Sequence, residues 1–510
     1  MKKIIYSLVA IAAMVTVNSC SLDRYPISSI SEDVFYTTPS GVESAVIAAY
    51  NALLPYEDEL WRYTELRSDN THCKDIMIDN KNIQLLHADF FTYSNLDSEI
   101  HDYIWAPAYK VISRCNMVIR NIDNVTDEAQ KSKLYSEAIV LRSMMYFDLI
   151  RMFKEVYYVD GYLSGQDALK MTPTPSETIL ENIINDMELA ASDKGGLPKP
   201  SEQKSSETGR ITSYAAKGLL AKMYLTQKNY DKVISTLKPV IDAYGTTDLV
   251  AFSEIFKIKN EMNKELLLCA RYSGPNKGIG SKFPNYFAAD GSEGTTVVGK
   301  GQGYNVPADD LCRLFGIKYD WSMSNGVPKF IDGTTVDFSA TKDLRAAVSV
   351  KFFENAEIFW PSKYWNSYSD YSQEKDCEND FPLLRYSDCL LMYAEAINKG
   401  HSNPSEAAAY VNAVRTRAGL DNLTSAETAS VEAMHSAILR ERRLELAFEN
   451  QRYFDLLREG NDFFVKTINA QFANDDFYKQ VDNSGNSRPK DITADKILLD
   501  VPYEISSLYE

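Results

Sequence analysis

The sequence predicts a mainly α-helical protein built from antiparallel helix pairs, interrupted by one long loop-rich, aromatic-rich insertion. Three features of the 510-residue chain carry that expectation. Apolar residues recur at helical spacing, as at Val42, Ala45, Val46, Ala49 and Leu53. Small residues stud two segments, Ile211 to Ile241 and Leu390 to Val414, as in helices that pack closely. Residues 270 to 380 lose the helical period and are rich in Gly, Ser, Asn, Asp and aromatics. With 45% apolar residues the chain can bury a large core.

At the N-terminus, Lys2 and Lys3 precede an apolar run from Ile4 to Val17, too short to cross a membrane. The run ends in Val17-Asn18-Ser19-Cys20, which resembles a bacterial lipobox. That implies loss of residues 1–19 and a lipid on Cys20; an ordinary signal segment with a chance Cys is the alternative. Residues 20–40, polar and without helical period, are expected to form an extended leader. The rest of the chain could hold two or three average domains or one large helical one.

The first helix follows Pro39-Ser40. The loop from Arg67 to Asn82 is rich in Asp and Asn and carries Asp69-Asn70-Thr71-His72. Helices are expected over Ala129–Phe153 and Pro175–Ala191, the second with Ser176 as N-cap and Glu177 near its positive end. Residues 195–207 read as a linker. In the segment from Ile211 to Ile241, Ala216, Gly218 and Ala221 alternate with Leu219, Leu220 and Tyr224 before a turn at Gln227-Lys228-Asn229. This resembles a tetratricopeptide helix pair, where small residues let two helices approach. A second such pair turns at Lys399 to Ser402, with Pro404 opening the next helix. Less distinct pairs fall at 98–153 and 176–226.

Near the C-terminus, Leu444, Ala447 and Phe448 form one helical stripe, and Tyr453, Leu456 and Leu457 another after Asn450-Gln451. Arg442 with Glu445, and Glu449 with Arg452, are i, i+3 pairs that can meet on a helix surface. Apolar residues occupy several faces here, so some of these charges must be buried and paired. Carboxylates this dense allow a glycosidase-type acid/base pair. A structural ion lattice is the favoured reading, because neighbouring Arg side chains keep carboxylates ionised.

A net charge of −17 argues against nucleic acid, which calls for a basic stripe, and against anionic lipid heads. Thirty-two Tyr against five His suit a surface that stacks on ligands better than one that shuttles protons. No HExxH, Walker or GxSxG motif occurs, and the histidines are too dispersed for an obvious metal set. Gly299 to Gly303 lacks the GK[ST] ending of a phosphate loop. Asp309-Asp310 and Asp69-Asn70 are of a type a structural calcium ion could use, although such pairs are mostly solvated. The six cysteines after Cys20 show no zinc spacing, and Cys115 and Cys389 fall in apolar helical stretches.

The stretch ERRLELAFENQRYFDLLREG, Glu441 to Gly460, resembles the signature of the SusD/RagB family of outer-membrane nutrient-binding lipoproteins. EAIVLRSMMYFDLIRMF, Glu137 to Phe153, and IWAPAYKVISRCNMVI, Ile104 to Ile119, resemble further family motifs, as does KILLDVPYEIS near the end. Lys154 and Tyr157 stand where the family has Gly and Pro, which reads as local turn variation. Trp105, Arg142 and Asp148 would be structural, and Lys363-Tyr364 resembles a structural strand.

The resemblance implies a SusD-like fold of tetratricopeptide-like units, a single α-helical domain over residues 41–510. It also implies a surface-exposed outer-membrane lipoprotein that hands oligosaccharide to a SusC-like TonB-dependent transporter without cleaving it. Its glycan site would lie on an early loop and aromatics of the later insertion. Flat aromatic rings can cover the C–H faces of a sugar while Asn, Asp and Arg bond its hydroxyl rim. On that analogy and local composition, the candidate ligand residues are Asn70, His72, Tyr304, Trp321, Trp360, Trp365 and Tyr368. Each aromatic could equally be loop core. Other readings are an oligopeptide-capturing member of the same family, a surface glycoside hydrolase, or a structural transporter subunit.

Overall fold

The computed structural model describes residues 35–73, 83–289, 299–324, 327–330, 336–353, 358–366, 373–475, 478 and 490–509. The signal segment, Cys20, most of the leader and Tyr368 lie outside the described residues. The helices of eight or more residues are α1 (Pro39–Thr64), α2 (Ala106–Arg120), α3 (Glu128–Met152), α4 (Ser176–Ala191), α5 (Ser213–Thr226) and α6 (Tyr230–Tyr244), then α7 (Tyr386–His401), α8 (Pro404–Arg417), α9 (Val431–Glu445), α10 (Arg452–Glu459) and α11 (Asn461–Asn474). Consecutive helices pack in pairs, and one continuous apolar core runs from Val42 to Val501.

Local signals set most helix ends. Thr38 caps α1 by accepting from Gly41 N at 3.1 Å, with Pro39 in the first turn. Asp127, Asn229 and Asn403 cap α3, α6 and α8 in the same way. At α4 the cap is Pro175 rather than Ser176: the Pro175 carbonyl already takes the Ile179 N–H at 3.1 Å. Helix α1 runs well beyond Leu53, through Pro55 to Thr64. Burial of Tyr56, Leu60, Trp61 and Tyr63 outweighs the hydrogen bond that proline removes.

The helix pairs at 211–241 and 390–414 form as expected, with a different role for one small residue. A Cβ on Gly218 would lie 2.4 Å from Leu384 Cδ2 and 3.1 Å from Cys389 Sγ. Gly218 therefore lets α5 approach α7 and the strand before it, across pairs rather than within its own. Between α6 and α7 the chain forms short antiparallel ladders: β2 (Leu266–Ala270) with β8 (Phe381–Arg385), β4 (Trp321–Ser324) with β5 (Val327–Phe330), and β6 (Val350–Phe353) with β7 (Ile358–Pro361). The early loop adds β1 (Thr71–His72), which pairs with β3 (Val306–Pro307).

Helix α9 stops at Glu445, so Ala447 and Phe448 are not on its stripe. They lie in a turn where Phe448 and Asn450 have φ of 65° and 59°. A bulky residue in the left-handed region is strained, and here side chains from distant segments hold it. Lys363 Nζ donates to the Glu445 and Ala447 carbonyls at 3.2 and 2.7 Å, and Tyr364 Oη to the Phe448 carbonyl at 2.8 Å. Asn450 N donates to Glu65 Oε1 at 2.7 Å.

The C-terminal charges form a buried lattice, and the i, i+3 pairs are not its bonds. Arg442 binds Asp388 and Asp455, and Arg452 binds Asp69. Glu445 and Glu449 both take Arg385, at 2.9 and 2.7 Å; Glu445 also takes Arg345 at 3.2 Å and Arg417. Burial alone would push the Glu445 carboxyl up, yet Arg417, Arg385 and Arg345 hold it well below the ordinary range. Each partner comes from a different element, so the lattice ties α9 and α10 to α7, α8, β8 and the insertion. Trp105 packs edge-on against Phe153 at 4.9 Å, and Arg142 and Asp148 are bonded in the interior. Lys363-Tyr364 lies in a turn just after β7 rather than in a strand. The six described cysteines are all buried.

Candidate functional site

The early loop and the insertion meet at the β1–β3 ladder. Thr71 pairs with Pro307 and His72 with Val306, and Ala308 N donates to the Asn70 carbonyl at 2.8 Å. This antiparallel register puts Asp69 and Asp309 at one end of the ladder and Cys73 and Tyr304 at the other.

The structure brings most of the expected ligand residues to this junction, but several face inward. Asn70 is fully buried: its Nδ2 donates to Glu65 at 3.2 Å and its Oδ1 accepts from Arg443 at 3.1 Å. His72 is buried, with Nδ1 2.9 Å from the Cys73 carbonyl, and burial pushes its imidazole down to about 4, so it is neutral. Trp360 packs with Ala288, Ala289, Val306 and Cys377, directly beneath Gly303. A Cβ on Gly303 would lie 2.6 Å from that ring. Trp365 belongs to the same cluster and is 8% exposed. As placed, Asn70, His72 and Trp360 offer almost no surface to a ligand. Trp321 opens β4, but its side chain, like Tyr368, lies outside the described residues. Tyr304 is half-buried at the surface.

Tyr304 stands on an aromatic ledge whose other members the sequence reading passed over. Its ring stacks on Trp61 at 6.4 Å with 16° between planes and lies 5.9 Å from Tyr286. The Arg62 guanidinium is 5.1 Å from the centroids of both Trp61 and Tyr103 and 5.8 Å from Tyr286. Glu59 fixes the set, accepting from Tyr286 Oη at 3.0 Å and from Arg62 Nε at 2.6 Å. Gln302 accepts from Tyr304 Oη at 2.8 Å, and Glu99 lies 3.7 Å from Arg62. Tyr103, Glu99, Gln302 and Tyr304 are all half-exposed, giving an aromatic surface with a polar rim.

Four segments supply this ledge. The last turns of α1 carry Glu59, Trp61 and Arg62, and the short helix Phe283–Phe287 carries Tyr286. The loop before β3 carries Gln302 and Tyr304. Tyr103 sits in a π-helical turn, His101–Trp105, whose extra residue re-registers the helix locally; such turns are frequent at functional sites. Trp61 and Arg62 follow Pro55 and the acidic run Glu57-Asp58-Glu59, and no local motif marks them. Beside the ledge, Asn305 is fully buried and neither of its amide atoms has a hydrogen-bond partner.

At the other end of the ladder lies a groove of ≈480 Å³ bordered by Asp309, Asp310, Arg313, Phe463, Lys466 and Gln471. Phe463 is 39% exposed, and Gln471 is buried with Nε2 unpartnered. Asp69 reaches the groove floor, bonded by Arg452 at 2.6 Å and 3.4 Å from Arg443. Burial opposes its ionisation, but the two arginines prevail and bring the carboxyl down to about 2. Arg313 and Arg443 likewise pair Asp309 and Asp310. These carboxylates already have cationic partners, so the expected calcium-type pairs are ion-paired instead. Glu395, His435 and Glu459 also converge, yet the Arg458 guanidinium is bonded to both carboxylates and supplies the charge a metal would bring.

The architecture is that of a helical-repeat binding protein with an aromatic surface on its insertion. Two family models match the chain: the SusD family over residues 295–502, and "starch-binding associating with outer membrane" over residues 22–225. The chain belongs to the SusD/RagB family, whose members are non-catalytic binding proteins. It is 25% identical over 488 residues to SusD-like protein P2 of Formosa agariphila, covering 91% of this chain and 92% of that one. Surface glycan-binding protein A from Bacteroides uniformis has the same fold, with a TM-score of 0.73, 22% identity and coverage of 93% and 100%. The Bacteroides thetaiotaomicron surface glycan-binding protein A in complex with laminarihexaose matches with a TM-score of 0.69, 20% identity and coverage of 92% and 97%. Among the described residues, no helix is long and apolar enough to cross a membrane.

Proposed function

We propose that this protein captures oligosaccharides or polysaccharides at the cell surface and delivers them to a SusC-like TonB-dependent transporter. In this reading Cys20 carries the lipid anchor, residues 20–40 form the tether, and residues 41–510 act as one binding domain. The observation that carries the glycan reading is the pair of half-exposed rings Tyr103 and Tyr304, held from beneath by the buried Trp61, Arg62 and Tyr286. Their ring faces suit the apolar side of a pyranose, and Glu99 and Gln302 suit its hydroxyls. Trp321 and Tyr368 remain proposed contacts beside Tyr304. Laminarihexaose in a fold relative makes β-glucans the first ligands to try.

Calorimetry against polysaccharides, oligosaccharides and peptide digests tests this. Saturable glycan binding without release of reducing ends is the expected result, weakened by Tyr304→Ala. Binding to peptides alone would replace the cargo with oligopeptide. Release of reducing ends would contradict a pure capture role. Cys20→Ala is expected to release the protein from the outer-membrane fraction, and co-purification with a large β-barrel partner tests the transporter claim.

A further inference from the structure

We propose that a recess formed by residues 253–257, 347–351 and 362–365 binds an oxyanion, a carboxylate or sulfate ester, borne by the captured saccharide; the saccharide half rests on the glycan-capture reading. The recess measures ≈120 Å³, space for several waters and hence for one such group. It is separate from the ledge and from the acidic groove.

The charged residues of its wall are all lysines: Lys257, Lys351 and Lys363. Lys363 is committed to the frame, donating to Glu449 at 2.7 Å and to two carbonyls. Lys257 and Lys351 form no ion pair among the described residues, in a chain whose net charge is −17. Arg345, Lys363 and Arg271, by contrast, are each bonded to a carboxylate. Lys351 Nζ lies 5.6 Å from the Trp365 ring centroid. Burial first, and the charge of Lys257 second, push its ammonium below the ordinary lysine value. Two like charges facing one recess are a state that an anion relieves.

The independent observation is Trp365. Its side chain lines the recess and is 92% buried, yet among the described residues its indole Nε1–H has no hydrogen-bond partner. A buried donor of this kind calls for an acceptor, and among the described residues no carboxylate lines the recess to provide one. An oxyanion would take the indole hydrogen and neutralise both ammonium groups, with the exposed Ser253 hydroxyl at the rim. A neutral sugar offers nothing that would settle the two lysines.

The test uses the purified protein at low ionic strength, titrated with sodium sulfate against sodium chloride of equal ionic strength and followed by tryptophan fluorescence. Calorimetry follows, with matched neutral, uronate-bearing and sulfated oligosaccharides. A saturable, sulfate-specific response is expected, lost at least tenfold in Lys257→Gln/Lys351→Gln and kept in Lys257→Arg/Lys351→Arg. One acidic oligosaccharide should bind at least tenfold more tightly than its neutral counterpart, and that margin should vanish in the Gln pair. The absence of a sulfate-specific response, or an equal response in the Gln pair, would overturn the proposal. If neutral glycans then still bind, glycan capture stands without the anion recess. Lysine-dependent sulfate binding with no preference for acidic sugars would overturn the saccharide assignment. If no saccharide binds at all, glycan capture falls with it.

Discussion

The helical frame and the insertion present their polar and aromatic groups differently. In the frame, Arg385, Arg417 and Arg442 each meet carboxylates at hydrogen-bond distance, and both partners lie in the interior. In and beside the insertion, Asn305, Trp360 and Trp365 are buried with donors or acceptors unmatched among the described residues, and the rings of Tyr103 and Tyr304 stand half-exposed. A buried ionic lattice ties helices together and is turned away from solvent. Unmatched polar atoms and open rings are poor for stability and available for binding. On the proposed reading, stability rests on the ionic lattice and recognition on the exposed rings, and substitutions should separate them.

The largest effect should come from Arg385→Ala. It would leave Glu265, Glu445 and Glu449 facing one another in the interior, where breaking a buried ion pair costs about 3–5 kcal/mol. Denaturant unfolding should show that loss or a failure to fold. A variant as stable as the parent would mean that the lattice does not hold the frame.

Next is a dependence on pH that splits the buried carboxylates. Burial pushes Asp58, Glu65 and Asp89 up to about 7 each. Their folded values exceed their unfolded ones, so they favour the folded state fully below about pH 4 and lose that contribution as pH rises to 7. Asp69, held near 2, runs the other way: its contribution is present above about pH 4 and is lost as pH falls through 2. Melting temperature should therefore be higher at pH 5 than at pH 8. Each raised carboxylate can contribute a slope of up to about 1.4 kcal/mol per pH unit. Asp89→Asn keeps an acceptor for the Cys73 N–H and should flatten the slope; an unchanged slope would reject this assignment.

A smaller effect, confined to binding, is expected for Tyr304→Ala. Its ring is half-exposed, so stability should shift by less than about 1 kcal/mol. Glycan affinity should fall about tenfold, near 1.4 kcal/mol, by calorimetry. Equal loss from Trp360→Phe would show that the buried ring matters as much as the exposed one.

How far each region could be read from sequence follows the same divide. Helical spacing marked α3, α5, α6, α7 and α8 to within a few residues, because an amphipathic helix writes its buried face into the chain. The buried lattice was legible as charge among apolar residues, but not its partners, since Arg385 and Glu449 are separated by sixty-four positions. The insertion was legible as a place and not as a surface. Nothing local distinguishes Trp360, roofed by Gly303, from Tyr304, whose ring stands at the edge. Trp61 and Tyr103 were missed for a related reason: one follows a proline within α1, and the other depends on a π-turn that has no sequence period.

Tyr364 is where the two regions touch, and it sharpens the comparison most. It belongs to the insertion, yet its hydroxyl donates to the carbonyl of Phe448, the strained residue at the break between α9 and α10. Its ring also packs 4.9 Å from Phe283, which opens the short helix bearing Tyr286 of the ledge. Tyr364→Phe keeps the ring and removes one buried hydrogen bond, so about 0.5–1.5 kcal/mol of stability should be lost. If the frame and the ledge are separable, glycan affinity should stay within twofold of the parent, because the ring that supports Phe283 is retained. A matching fall in affinity would show that the Phe448 turn also sets the ledge, and that the frame positions the binding surface through this one side chain.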